Sequence, residues 1–235
     1  MRVIDCDQGS ADWYRARLGK PTASMFDKII TPEGKVSGQA QTYAYRLVAE
    51  RLLNDSMDSQ LDRVEWTEHG KIAEPMAVQQ FEFGNDVELE RVGFITSDDG
   101  RIGCSPDRLV KGDHGQMVEI KSPSPWVHLG YLLDGPGKKY KPQIQGQILV
   151  GDFDKHWFYS WQARMPPAQW LTARDDRFIA QLATLLDLFC DDVQRKYERA
   201  LTLGAYVTAY EPSTPFDQEY GGEAGAPPLS IVVPD

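Results

Sequence analysis

The strongest constraint on the fold lies between residues 68 and 161, where the spacing of apolar residues changes from a helical period to a strand period and back. From about Glu68 to Phe83, Ile72, Met76, Ala77 and Phe81 share one side of a helix that Pro75 either starts or bends. Three strand-like runs follow: Glu90 to Thr96, Arg101 to Val110 and Met117 to Lys121. Turn formers separate them, first Ser97-Asp98-Asp99-Gly100, then Lys111-Gly112-Asp113-His114-Gly115. Pro125 to Leu133 reads as a short helix, and Gln143 to Val150 as another, opened by Pro142 and closed by Gly151. The aromatic run Lys155 to Trp161 is a central strand beside the hairpin. Helices interleaved with strands in this order predict an α/β fold, a mixed central β-sheet flanked by helices.

The stretch Gly103 to Lys121 carries the densest chemistry. If Arg101–Val110 and Met117–Lys121 form a hairpin, the strand period of two puts Glu119 and Lys121 on one face, with Val118 and Ile120 on the other. Asp107 then reaches Glu119 across the hairpin. Two carboxylates helped by a backbone carbonyl suit a hard divalent cation that keeps several waters, Mg²⁺ or Mn²⁺. Lys121, one side-chain length away, can hold the attacking water or neutralise a phosphate. From the spacing alone the same residues also fit a turn and an exposed strand with solvated charges.

On the N-terminal side, Ser10 caps a helix ending near Gly19, and Thr22-Ala23-Ser24 starts a second helix through Phe26 and Ile30. Such a start is an anion site, so Ser24 with Arg17 could hold a phosphate, although the residues alone favour the plainer reading, a Thr22 or Ser24 cap with Arg17 as a surface charge. Gln39 to Leu53 is a third helix. The last long helix runs from about Ala173 to Leu201, and its stripe Phe178, Ile179, Leu182, Leu185, Leu186 and Phe189 is core or a subunit contact. The basic segment Gly135 to Lys141 is flexible, either tracking a nucleic-acid backbone or merely solubilising. We expect one domain over 1–210 with its core at 68–161, and a mobile tail at 211–235, rich in Pro and Gly.

A formal net charge of −10 argues against a nucleic-acid partner only weakly, because a metal site needs carboxylates and a DNA channel needs only local positive potential. Three scattered cysteines, Cys6, Cys104 and Cys190, exclude a disulfide framework and a four-thiolate cluster; we expect them buried and reduced. No apolar run approaches a membrane span, and the N-terminus lacks the pattern of a signal peptide, so a cytoplasmic location without membrane contact is expected.

Read as helix, three strands, helix, strand, 68–161 resembles the restriction-endonuclease-like core, whose signature is Pro-Asp, a spacer and (Asp/Glu)-x-Lys. Here these are Pro106-Asp107 and Glu119-Ile120-Lys121. Up to about residue 201 the chain resembles, more specifically, the lambda-exonuclease-like (YqaJ-type) viral recombination nucleases. The matching pieces are Trp13 with Arg17-Leu18-Gly19, Thr22-Ala23-Ser24, Gly70-Lys71 with Glu74, Cys104-Ser105-Pro106-Asp107, Glu119-Ile120-Lys121 and Gln143-Ile144-Gln145. The departures are Pro75 and Gly146.

The resemblance implies that Asp107, Glu119 and the Ile120 carbonyl ligate metal, with Glu74 serving a second ion of a two-Mg²⁺ (or Mn²⁺) site. It implies that Lys121 activates the nucleophilic water and that Gln145 supports the site. Arg17, Ser24 and Ser105 would bind a terminal 5′-phosphate, with Gln143 among the DNA-binding residues. The implied activity is 5′→3′ digestion of one strand of linear double-stranded DNA with 5′-phosphorylated ends, releasing 5′-mononucleotides. A homotrimer, a single-strand annealing protein as partner and a phage or prophage origin in a bacterial host come with it. A structure-selective endonuclease on the same core and a non-catalytic DNA-end-binding module are the rival readings.

Overall fold

A computed structural model describes residues 1–57, 64–112 and 115–208, residues 64–72 by their backbone alone. The expected tail at 211–235, residues 58–63, the turn residues Asp113 and His114, and the side chains of Lys71 and Ile72 fall outside that description.

Two sheets share the work. A five-stranded mixed sheet has the order β2 (Leu89–Glu90), β5 (Arg108–Val110), β6 (Gln116–Lys121), β7 (Lys155–Ser160), β8 (Ala168–Ala173). All neighbours are antiparallel except β6 and β7, which run parallel. A parallel pair needs a crossover, and α4 (Pro125–Asp134) and α5 (Lys141–Gly151) supply it. The smaller sheet joins β1 (Arg2–Ile4), β3 (Phe94–Thr96) and β4 (Gly103–Cys104).

Alternation along the strands sorts the two faces of the main sheet. Val110, Val118, Ile120 and Tyr159 pack with Ala77 and Phe81 of α3 (Val64–Asn85). On the opposite face Met117 joins the main core with Phe26, with Leu47 of α2 (Ala40–Leu53), and with Phe178, Leu182 and Leu186 of α6 (Asp176–Thr202). The apolar stripe of α6 is therefore core. Each fully buried Leu, Ile or Phe here stabilises the fold by roughly 1.5–3 kcal/mol relative to exposure.

The predicted helices form, and their ends follow local chemistry. The Ser10 hydroxyl accepts from the Trp13 amide and caps α1 (Ala11–Arg17), a contact worth about 1 kcal/mol. Pro75 lies inside α3, which extends beyond the predicted ends. Asp152, not Gly151, takes the left-handed position that ends α5. The second helix is a 3₁₀ turn, Ala23–Lys28, and Thr22 makes no side-chain cap.

The strands depart further. The expected strand Glu90–Thr96 is two strands in different sheets, broken at Gly93, where a Cβ would lie 2.5 Å from the carbonyl oxygens of Ile4 and Cys6. The expected strand Arg101–Val110 is likewise divided into β4 and β5 by Ser105-Pro106-Asp107; Pro106 has no N–H to give a ladder. The edge strand β8 was not foreseen, and the last helix, expected from about Ala173, starts only after Asp175, whose side chain accepts from the Phe178 amide. Strand β1 was not foreseen either. Cys104 and Cys190 are buried, Cys6 is half-exposed against expectation, and all three are unbridged. No described helix is long and apolar enough to cross a membrane.

Candidate active site

The register of β5 on β6 sets the geometry. Arg108 stands opposite Val118 and Leu109 opposite Met117, so the next pair in that register is Asp107 and Glu119. Both carboxylates and Lys121 fall on the α5 face, while Arg108 falls on the α3 face with Val118 and Ile120. Asp107 Oδ2 accepts from the Ile120 amide at 2.6 Å. Glu119, buried, receives three donors. Lys121 Nζ reaches Oε1 at 2.5 Å, Gln143 Nε2 reaches the same oxygen at 2.8 Å, and Gln147 Nε2 reaches Oε2 at 2.9 Å.

Helix geometry explains which glutamines arrive. Gln143 and Gln147 are four residues apart and share a face of α5; Gln145, two residues on, points elsewhere. Its amide donates to the Ala173 carbonyl at 2.9 Å and its oxygen accepts from the Asp175 amide at 2.8 Å, so it ties α5 to the start of α6. The expected support of the site by Gln145 is thus corrected: Gln143 and Gln147 hold Glu119. Gln143, expected among the DNA-binding residues, sits on the carboxylate itself. The signal was present in the sequence as the i,i+4 spacing of two glutamines in a helix whose remaining residues are mostly apolar.

Glu74 takes a different position from the other two carboxylates. It lies on α3, across the sheet, and pairs with Arg108 Nη2 at 2.5 Å. Arg108, buried, also donates to the Asp107 carbonyl at 2.5 Å. Arg108 went unnoticed in the sequence, and it links Glu74 to the Asp107 backbone.

Electrostatics separates the two central carboxylates. Burial, then the adjacent Glu119 charge, pushes Asp107 up to about 7, against the opposing pull of Lys121 and the Ile120 amide. Burial pushes Glu119 upward as well, but the Lys121 ammonium and the Gln147 donor outweigh it and hold Glu119 below the usual carboxylate range. Lys121 loses some basicity to burial and regains more from Glu119 and Asp107, ending above its ordinary value. With both carboxylates ionised, the trio carries a net negative charge, with Glu119 buried and Asp107 and Lys121 partly open to solvent. Among the described residues no three His, Cys, Asp or Glu side chains cluster as metal ligands. A hard cation that keeps its waters does not need three: two carboxylates and a carbonyl suffice, and a single lysine leaves the adjacent carboxylates with one negative charge uncompensated. The residues fit a divalent cation.

A second cluster lies two residues along the chain from Asp107. Ser105 Oγ accepts from Trp13 Nε1 at 2.9 Å and from Arg17 Nη1 at 3.3 Å. Arg17 Nη2 donates to Thr22 Oγ1 at 3.3 Å, and that hydroxyl lies 3.3 Å from Ser24 Oγ. The guanidinium also stacks over Trp13, 4.2 Å from the ring centroid. The structure therefore brings Arg17, Ser24 and Ser105 together, and adds Trp13 and Thr22.

Backbone contacts hold this cluster in place. Gly19, at φ +63°, turns the chain after α1; its N–H donates to Glu50 at 3.0 Å and its carbonyl accepts from Arg51 Nε at 2.9 Å. Gly103 bridges Thr22 in parallel and donates to the Pro21 carbonyl at 3.1 Å. One guanidinium and several hydroxyls converging at a surface opening suit a phosphate.

The YqaJ-like viral recombinase domain matches residues 12–154. Among solved structures, the alkaline exonuclease LHK-Exo from Laribacter hongkongensis aligns at 27% identity with a TM-score of 0.73, over 83% of this chain and 98% of its own. The same enzyme in complex with dAMP gives 0.71 at 27% identity, over 83% and 100%. A phage related exonuclease from Haemophilus somnus 129PT, at 15% identity, shares the fold, with a TM-score of 0.60 over 78% and 96%. The mixed sheet is thus of the restriction-endonuclease-like class. No protein of curated function matches the chain in sequence.

Proposed function

The chain belongs to the YqaJ-like viral recombinase family, a family of recombination nucleases, and from that premise we propose that it is a divalent-metal-dependent exodeoxyribonuclease. It would digest one strand of linear duplex DNA from the 5′ end, release 5′-mononucleotides and leave a 3′ single-stranded overhang. The observation that carries this reading is the juxtaposition of the Asp107, Glu119 and Lys121 trio with the Arg17, Ser24 and Ser105 cluster, joined by Pro106. The dAMP complex of LHK-Exo supports a nucleoside monophosphate as ligand.

In this reading Asp107, Glu119 and the Ile120 carbonyl hold Mg²⁺ or Mn²⁺, and Glu74 serves a second ion on leaving Arg108. Bound there, divalent cations neutralise the phosphate and make water a stronger nucleophile. Lys121 orients the attacking water by hydrogen bonding and balances charge on the phosphate oxygens. Gln143 keeps Glu119 fixed while the charge at phosphorus changes. The new bond joins the water oxygen to phosphorus, the bond to the 3′-oxygen breaks, and that oxygen leaves with a proton. Arg17, Ser24 and Ser105 grip the terminal 5′-phosphate, so each cut presents a new end to the same grip. A homotrimer around the duplex would keep the enzyme on one end between cuts, and a single-strand annealing protein would take the overhang.

The test is digestion of end-labelled linear duplex carrying 5′-phosphate or 5′-hydroxyl ends, with EDTA as control. We expect metal-dependent release of mononucleotides from the 5′ end and a preference for the phosphate. Arg17→Ala should erase that preference, weakening the phosphorylated substrate by roughly 10–100-fold, the worth of hydrogen bonds to a charged group. Loss of the 3′ label first would refute the polarity, and cutting of a closed circle would favour an endonuclease.

A further inference from the structure

Behind Glu119, on the side away from Lys121, a second hydrogen-bond chain runs into the core. Gln147 Nε2 donates to Glu119 Oε2 at 2.9 Å, and Gln147 Oε1 lies 2.5 Å from His156 Nε2. Gln147 is 2% exposed and His156 is fully buried. The chain has a direction. An amide oxygen facing the Glu119 carboxylate would repel it, so the NH₂ group must face Glu119 and the oxygen must face His156. An amide oxygen only accepts, so His156 donates from Nε2 and is the Nε2–H tautomer.

The sheet fixes the ring in place. His156 on β7 is the partner of Met117 on β6 and of Thr172 on β8, and it points to the same face as Glu119. Its Nδ1 is buried without a hydrogen-bond partner among the described residues. A phenyl ring would fill similar space without leaving that nitrogen unsatisfied. What the imidazole brings is the donor to Gln147.

We infer that His156 and Gln147 are positioning residues for Glu119: His156 fixes which way the Gln147 amide faces, and Gln147 fixes the plane and charge of the carboxylate that receives the divalent cation. The inference rests on the proposed role of Glu119 as a metal ligand. Partners behind a ligand typically govern metal affinity by about 10–100-fold. Without His156 the Gln147 oxygen loses its donor and the amide is no longer anchored from behind, so it holds Glu119 less firmly, which weakens the site without touching the cation.

The experiment is Mn²⁺ binding to the full chain, followed by electron paramagnetic resonance of the free ion, alongside thermal melting and binding of a 5′-phosphorylated duplex in EDTA. Wild type should bind Mn²⁺. His156→Phe and Gln147→Met should each weaken Mn²⁺ roughly tenfold or more, with end binding in EDTA unchanged. His156→Gln, whose amide can donate from the equivalent position, should stay near wild type. A merely structural histidine would shift melting and leave Mn²⁺ affinity alone. Wild-type Mn²⁺ affinity in folded Gln147→Met overturns the inference while leaving the metal reading intact; this variant decides if His156→Phe does not fold. A folded His156→Gln as weak as His156→Phe also overturns it. Absence of Mn²⁺ binding by wild type sinks the metal reading and this inference with it.

Discussion

Lys121 and Asp107 sit on either side of Glu119 and answer to opposite demands. Two carboxylates favour the charged form of Lys121, so in the proposed reaction it would act as an ammonium, a donor and a counter-charge. Replacing it with Ala should slow digestion of linear duplex by roughly 10²–10⁴-fold, as loss of a group handling the nucleophile does. Binding of 5′-phosphorylated DNA ends should survive, as a gel shift with uncut duplex would report. Asp107 is raised to about 7 from an ordinary 3.8, chiefly by burial. In the metal-free protein the folded state therefore holds a proton that the unfolded chain has already released. That stabilising contribution is complete below the unfolded value and is lost as pH rises through about 7. Metal-free Asp107→Asn should escape the loss and exceed wild type in stability above neutral pH by about 1–3 kcal/mol, read by urea unfolding across pH. Of this constellation, Asp107, Glu119 and Lys121 were legible because strand alternation and a short motif suffice to place them. Gln147 left only the i,i+4 spacing with Gln143, and His156 left no local signal, since its meaning depends on a helix lying over a strand.

At the scale of elements, helices were legible and strands were not, for a physical reason. A helix satisfies its own backbone and advertises itself over many residues, as α2 and α6 do. Strands of two or three residues, such as β2, β3 and β4, take their identity from partners far along the chain. Continuous apolar runs at 90–96 and 101–110 therefore concealed a change of sheet within each. The packing of α5 makes a testable case. Gly146 faces the 3₁₀ turn, where an added Cβ would lie 2.3 Å from Phe26 Cδ2. This residue, a departure from the family pattern in the sequence, is what lets α5, which carries Gln143 and Gln147, pack closely on the 3₁₀ turn. Gly146→Ala should destabilise the fold by about 1–3 kcal/mol, as overpacking does. It should also lower activity more than that loss of stability explains, checked by assaying well below the melting temperature.

For the molecule as a whole, a net charge of −10 sits beside a site that would bind a polyanion. Local arrangement resolves this in part: Arg17 stands at the hydroxyl cluster, and the proposed divalent cations would offset the net negative trio. The site also straddles two sheets. Ser105 leaves β4 of the small sheet, Asp107 enters β5 of the large one, and only Pro106 lies between. Neither sheet holds a complete site, so function depends on their alignment as well as on the integrity of each. Activity should accordingly fail at a lower temperature than helical circular dichroism, since a slip between sheets separates grip from cut before any helix melts. Coincident loss of both signals would show instead that the sheets part only on global unfolding. If activity fails first, the same joint would make the enzyme its own gauge of wear: a molecule loosened by heat or damage would stop cutting while still folded.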